Sequence, residues 1–135
     1  LLEHPHKPNT IVLMVQKEVA QRIVAKPPGM NLLALSIQFY SEPEIISYVS
    51  KGSFRPIPKI DSAIIRLVPK HEARIMSQEL RERFFRLIKT AFAGKRKQLK
   101  NTLPQINFES LGINPKARPE DLSLEDWIRI VKSSF

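Results

Sequence analysis

Thr10-Ile11-Val12-Leu13-Met14-Val15 is the stretch on which the fold turns. It is apolar after its threonine and rich in β-branched residues, too short for a typical globular helix and well suited to a strand. Its apolar residues do not alternate with polar ones. The run therefore predicts a strand buried on both faces, as in the middle of an α/β sheet. Such a strand needs covering layers on both sides, and the few residues before Thr10 cannot supply them. The chain accordingly reads as a piece that begins in mid-structure, with Leu1-Leu2-Glu3 as the tail of a helix and Pro5 to Asn9 as a turn.

Working outward, Gln16 to Ala25 predicts a helix with Val19, Ile23 and Val24 inward, stopped by Lys26-Pro27-Pro28-Gly29. Asn31 to Tyr40 predicts a second helix, capped by Asn31, with Leu32, Leu35, Ser36 and Phe39 at helical spacing. Glu44 to Val49 and Ser62 to Val68 read as strands. They are joined by the Gly, Ser and Pro-bearing loop Lys51 to Lys59, and with no helix between them they should pair antiparallel. Residues 71–76 read as a linker, and from Ser77 the pattern is helical. Leu80, Phe84, Leu87, Ile88 and Ala91 form one apolar stripe, with Arg83, Arg86 and Lys89 on the far side. Gly94 punctuates, a short helix follows to Leu103 before Pro104, and Phe108 to Gly112 suit one more turn. Ser123 with Asp126 fits a capping box, with Leu122 and Trp127 as the staple around it and Leu124, Trp127, Ile128 and Val131 facing the core.

Composition narrows the classes. The 135 residues are 42% hydrophobic and 26% charged, enough for a real core, and no window is apolar enough for a membrane span. Leu1 to Thr10 lack the basic-then-apolar order of a signal peptide. With no cysteine, disulfides, thiolate chemistry and Cys-based zinc sites are excluded, which fits a reducing, cytoplasmic setting. The formal charge is +9, and residues 81–100 hold eight bases (Arg81, Arg83, Arg86, Lys89, Lys95, Arg96, Lys97, Lys100) against the single acid Glu82. A face that repels itself so strongly suits an anionic partner, and a nucleic acid fits better than a membrane because Phe84 and Phe92 are needed for the core.

Catalytic motifs are absent. Gly29, Gly52, Gly94 and Gly112 are too scattered to cradle a nucleotide, and no nucleophile–His–acid order is present. His4-x-His6 suits a solvated chain end better than a metal site, and no metal site is expected. Phe54-Arg55-Pro56-Ile57-Pro58-Lys59 is the first positive signal. Pro56 and Pro58 fix their own φ and push Arg55 and Ile57 into extended conformations, so the loop is stiff. It can hold the Phe54 ring ready to stack on an extruded base, or Phe54 can simply plug the sheet edge while the prolines deter strand pairing. The second signal is Lys95-Arg96-Lys97 with Lys100, which a bend at Gly94 can join to Arg83, Arg86 and Lys89 in one basic surface.

Both signals lie in strings that resemble a known family. FRPIPKIDSAIIRLVP (Phe54 to Pro69) resembles the F-x-P-x-P-x-V-x-S-x-V-x-x-L segment of ribosomal RNA adenine dimethyltransferases. AFAGKRKQLKNTL (Ala91 to Leu103) resembles the helical-domain motif of the KsgA-type 16S rRNA enzymes, and Val12 to Gly29 and Ala117 to Trp127 fit as well. The erythromycin-resistance methyltransferases share the Phe-Pro-Pro segment but generally lack the Lys-Arg-Lys-x-Leu-x-Asn string.

The resemblance implies a Rossmann-like methyltransferase domain followed by a small helical domain. It implies an S-adenosylmethionine-dependent transferase that converts two adjacent adenosines of 16S rRNA to N6,N6-dimethyladenosine during ribosome biogenesis. The family's glycine-rich cofactor loop, ribose-binding acid and Asn-Leu-Pro-Tyr tetrapeptide have no counterpart in these residues, so no cofactor-binding residue is assigned. Phe54 matches the aromatic that packs on the flipped adenine, and Pro56 and Pro58 match the loop that holds it. Lys95, Arg96, Lys97 and Lys100 match the basic RNA-facing motif.

The expected fold class is thus an α+β fragment: the last strands and helices of a Rossmann-like sheet (1–70), a linker (71–76) and a helical RNA-binding domain (77–135). Expected partners are 16S rRNA and the small ribosomal subunit, with no membrane, and self-association through an exposed sheet edge. The isolated 135 residues are expected to be catalytically inactive. A stand-alone RNA-binding module and a basic protein-interaction adaptor are the competing readings.

Overall fold

A computed structural model describes residues 8–94 and 96–133. The helix tail expected at Leu1–Glu3, the pair His4 and His6, and Lys95 lie outside the described residues. The chain is α+β, with one three-stranded antiparallel sheet flanked by helices.

The stretch that opened the reading is strand β1, Ile11–Gln16. It pairs antiparallel with β3, Ser62–Pro69, in a register that sets Ile11 opposite Leu67 and Val15 opposite Ala63. On its other side β3 pairs antiparallel with β2, Ser41–Val49, as the helix-free connection requires. A bulge at Ile45 to Ser47 interrupts that ladder. The sheet order is β1-β3-β2, so the strand expected to be central lies at an edge of this sheet.

One face of the sheet is covered. Ala63, Ile65 and Leu67 of β3 are buried with Ile11 against Ala20 and Ile23 of helix α1, Lys17–Ile23. Leu33 and Ile37 of α2, Leu32–Tyr40, pack on the same cluster. The other face is bare, which corrects the expectation of a doubly buried strand: Val12 is 61% and Met14 55% exposed. Both lie opposite outward residues of β3, Arg66 and Ile64, and no helix among the described residues lies over them.

Helix α2 joins the two halves because it is apolar almost all round. The Asn31 side chain caps it, accepting from the Ala34 N–H at 2.8 Å. While Leu33 and Ile37 face the sheet, Ala34, Leu35, Phe39 and Tyr40 belong to a second and larger core shared with the helical half. The Phe39 ring stacks on Phe84 at 4.5 Å and Tyr40 stacks on Phe85 at 5.8 Å. A backbone bond from Met30 N–H to the Glu120 carbonyl at 3.1 Å adds a polar tie between the halves.

Residues 71–76 carry a short helix, α3, His71–Ile75, with Ala73 buried. Ser77 then caps α4, Gln78–Ala93, by accepting from the Leu80 N–H at 3.1 Å. Its expected stripe is the one that packs, with Phe84, Ile88 and Ala91 buried. Helix α5, Leu99–Thr102, is a single turn, and α6, Leu124–Ser133, closes the bundle. The capping box ahead of α6 is complete: Asp126 N–H donates to Ser123 Oγ and Ser123 N–H to Asp126 Oδ2, both at 3.1 Å. Trp127 sits at the centre of this core, fully buried. No helix among the described residues is long and apolar enough to cross a membrane.

Candidate nucleic-acid interface

The basic surface is built by α4 and the turn that follows it. At about 100° per residue, Lys89, Arg86 and Arg83 succeed one another around the side of α4 away from its buried stripe, while Arg81 stands at the edge of that stripe beside Ile88. Gly94 then ends the helix, its N–H bonded to the Ala91 carbonyl at 3.2 Å. The bend is tight. A Cβ on Gly94 would stand 2.8 Å from Thr102 Cγ2, so the glycine is required by space, its φ of −111° being open to any residue.

This turn presents Arg96 and Lys97 to solvent, and α5 presents Lys100. Helix α5 is pinned from behind: Leu99 N–H donates to the Ala117 carbonyl at 2.8 Å, Lys100 N–H to the Pro115 carbonyl at 3.2 Å, and Leu99 and Leu103 are buried. Arg86, Lys89, Arg96, Lys97 and Lys100 are all exposed, and among the described residues none of them is in an ion pair. Arg83 is half-buried and interacts within the chain. An un-neutralised surface on a firmly anchored scaffold is what phosphate binding by counterion release requires.

The aromatic loop joins β2 to β3. Ser50 opens it with a one-turn 3-10 segment, Lys51–Ser53, and Phe54 follows with its N–H on the Lys51 carbonyl at 3.3 Å. Phe54 is half-buried yet packs against neither core, so it does not serve as an apolar plug within them. Arg55 turns back on its own loop, donating to the carbonyls of Gly52 at 3.2 Å and Phe54 at 3.1 Å. Pro56 and Pro58 are exposed, as are the apolar side chains Ile57 and Ile60.

Sequence reasoning did not single out Asp61, which closes this loop. Its Oδ1 accepts from the Lys51 N–H at 2.9 Å, and its carbonyl accepts from the Lys17 N–H at 3.0 Å, so one residue ties the two ends of the loop to the start of α1. The signal was available, because aspartate at a turn commonly bonds nearby backbone N–H groups. Lys17, Lys51 and Lys59 gather around it in a shallow hollow, with Lys17 Nζ also 5.4 Å from the Tyr48 ring centre. The loop and the helical surface are thus two basic regions that share no residue, and α2 packs into both cores between them.

Fold and charge together define an α+β chain with an un-neutralised basic helical surface and a stiff aromatic loop. Comparison with known proteins makes that class specific. The profile of the family described as "Ribosomal RNA adenine dimethylase" matches residues 1–134, and the chain belongs to that family. It is 41% identical, over 96% of its length, to the ribosomal RNA small subunit methyltransferase A of Dehalococcoides mccartyi strain BAV1, covering 47% of that protein. It is 40% identical to the enzyme of the same name from Nostoc punctiforme, over 93% of this chain and 46% of that one. The chain therefore spans about half the length of the curated relatives it matches.

The fold is also similar to solved structures. A dimethyladenosine transferase from Plasmodium falciparum superposes with a TM-score of 0.79 at 21% identity, over 98% of this chain and 60% of that one. The 23S rRNA methyltransferase ErmE superposes at 0.76 with 24% identity, over 97% of this chain and 56% of that one.

Proposed function

We propose that these 135 residues are the RNA-recognising portion of a small-subunit rRNA adenine-N6,N6-dimethyltransferase, acting on two adjacent adenosines of 16S rRNA in the cytoplasm. The family match over residues 1–134 carries this reading. In it, β1 to β3 with α1 and α2 (within 1–70) are the last part of a Rossmann-like catalytic sheet, and 77–135 are a helical domain that docks on rRNA. The bare outer face of β1 supports the first assignment, because an apolar strand surface is ordinarily covered in a finished sheet.

Phe54 would stack on the extruded adenine, with Pro56 and Pro58 holding the loop and Asp61 closing it. Its half-buried ring, committed to neither core, supports that role. Arg83, Arg86, Lys89, Arg96, Lys97 and Lys100, with Lys95, would meet rRNA phosphates. S-adenosylmethionine supplies the methyl group in this chemistry. The chain's scattered glycines offer it no cradle, so we assign its site to enzyme residues other than these 135. Alone, the chain would bind RNA without transferring methyl groups, and its exposed β1 edge would allow it to self-associate.

The test uses immature 30S subunits, tritiated S-adenosylmethionine and the 135-residue chain. The expected result is salt-sensitive association with 16S rRNA and no methyl transfer. Transfer by the chain alone overturns the assignment of the cofactor site. Binding that does not weaken with salt overturns the nucleic-acid reading and favours a protein partner.

A further inference from the structure

A groove of about 560 Å³ runs between the second half of α4, the segment 103–110 and the end of α6. Its volume lies within the range of roughly 300–1,000 Å³ typical of small-molecule sites. The floor is apolar: Leu103 and Val131 are core residues, and Leu87 and Ile106 are half-buried beside them. Arg83 and Arg86 stand on one wall, and Gln105 and Asn107 on the other. Among the described residues that line it there is no carboxylate.

The far wall is held in place. Ile106 N–H donates to the Leu103 carbonyl at 3.2 Å, Ser110 N–H to Asn107 Oδ1 at 3.3 Å and Ser110 Oγ to the Asn107 carbonyl at 2.8 Å. Phe108, buried beneath it, anchors the segment to the core. Asn107 therefore has its carboxamide oxygen engaged within the segment, and Gln105, exposed, makes no hydrogen bond among the described residues. An apolar floor, a cationic wall and an amide wall are the three surfaces that a base, a phosphate and a base edge need together.

We infer that this groove takes one unpaired nucleotide of an RNA strand. Its phosphate meets Arg86 and Arg83, its base lies on Leu87 and Ile106, and the hydrogen-bonding edge of the base faces Gln105 and Asn107. The inference rests on the RNA-binding reading of α4 and deepens it. The basic helical face supplies sequence-blind attraction to the backbone, whereas the groove would read a single splayed base. A plain phosphate site would not need the apolar floor, and an acidic peptide would not need the flat amide wall.

The test is a titration of the ¹⁵N-labelled 135-residue chain with adenosine, guanosine, cytidine and uridine 5′-monophosphates, and separately with inorganic phosphate. The expected result is saturable amide shifts over residues 86–90 and 103–110 with at least one nucleotide, the 103–110 shifts being absent with phosphate. Gln105→Ala, at an exposed position, should weaken that nucleotide several-fold, and Ile106→Glu, which places a carboxylate in the groove that holds the phosphate, by about tenfold. The same shifts with phosphate alone, or none in 103–110 with any nucleotide, overturn the groove. A parallel titration with a 16S rRNA hairpin separates the two readings. Hairpin binding with a silent groove overturns the groove alone, and no hairpin binding overturns the RNA reading and the groove with it.

Discussion

Gly94→Ala tests the turn that aims the basic string. The new Cβ would stand 2.8 Å from Thr102 Cγ2, well inside van der Waals contact, and Thr102 is half-buried on the pinned helix α5, with its Oγ1 directed to the Leu99 carbonyl at 3.4 Å. Overpacking of this kind costs about 1–3 kcal/mol. Against it, alanine restricts the unfolded chain, which stabilises by about 0.4–1 kcal/mol where the backbone is permissive, as φ −111° is here. The net expectation is a loss of about 1.3 kcal/mol, within bounds of about 0 and 2.6 kcal/mol. Thr102→Ser removes the offending methyl and keeps the hydroxyl, so the double variant should recover that loss, with a coupling of about 1–2 kcal/mol in a double-mutant cycle. Urea denaturation at constant m measures it. Rescue should extend to RNA affinity, because Arg96 and Lys97 ride on this turn. A cycle additive to within about 0.3 kcal/mol refutes the close approach as the reason for the glycine.

Four further outcomes are expected. Lys97→Ala with Lys100→Ala should reduce the slope of log affinity for rRNA against log salt by about 1.4–1.8 while leaving the denaturation midpoint nearly unchanged, since both side chains are exposed. Asp61→Ala removes the bond to the Lys51 N–H and should cost about 1 kcal/mol, with faster amide exchange at Lys51 and a broadened Phe54 ring signal. At Asp126, burial opposes ionisation, but hydrogen bonds from the Ser123 backbone and from Arg129, with the Ser123 hydroxyl and the Arg129 charge, hold its pKa below the ordinary 3.8. Its stabilisation is therefore full above pH about 4 to 5 and lost as pH falls through the folded-state value, and Asp126→Asn should flatten the acid limb of a stability–pH curve. Val12→Lys, on the bare sheet face, should change stability by no more than about 0.5 kcal/mol and raise solubility in sedimentation or light scattering.

The elements that local chemistry determines were legible. Asn31 and Ser123 announce helix starts because their side chains have no better use than capping, and both do cap. The α4 stripe was legible because amphipathic spacing leaves one way to bury Phe84, Ile88 and Ala91. What joins segments far apart was not. Nothing in Leu32–Tyr40 says which neighbours will take its two apolar faces, and the Phe39–Phe84 stack spans 45 positions. Segment 103–110 reads as an unremarkable turn until Val131 and α4 stand across from it. Phe54 lies between these cases. Its aromatic-and-proline chemistry is visible in the sequence, but that its ring packs into neither core is a tertiary fact.

Strand β1 is where the sequence pattern and the structure part. A continuous Ile-Val-Leu-Met-Val run predicts burial on two sides, whereas the described residues cover one side only. The inner side is covered in part: Ile11 is buried and Val15 half-buried against the α1–α2 cluster, Leu13 is 41% exposed, and the β3 ladder runs from Ile11 to Gln16. The outer side exposes Val12, Met14 and Ile46, with the Arg66–Glu44 pair among them as its polar break. Surface charge pairs of that kind contribute about 0–1 kcal/mol and do little to offset the exposure of these three apolar neighbours. The chain spans about half the length of the relatives it matches, and the apolar outer face of β1 is one that its described residues leave open.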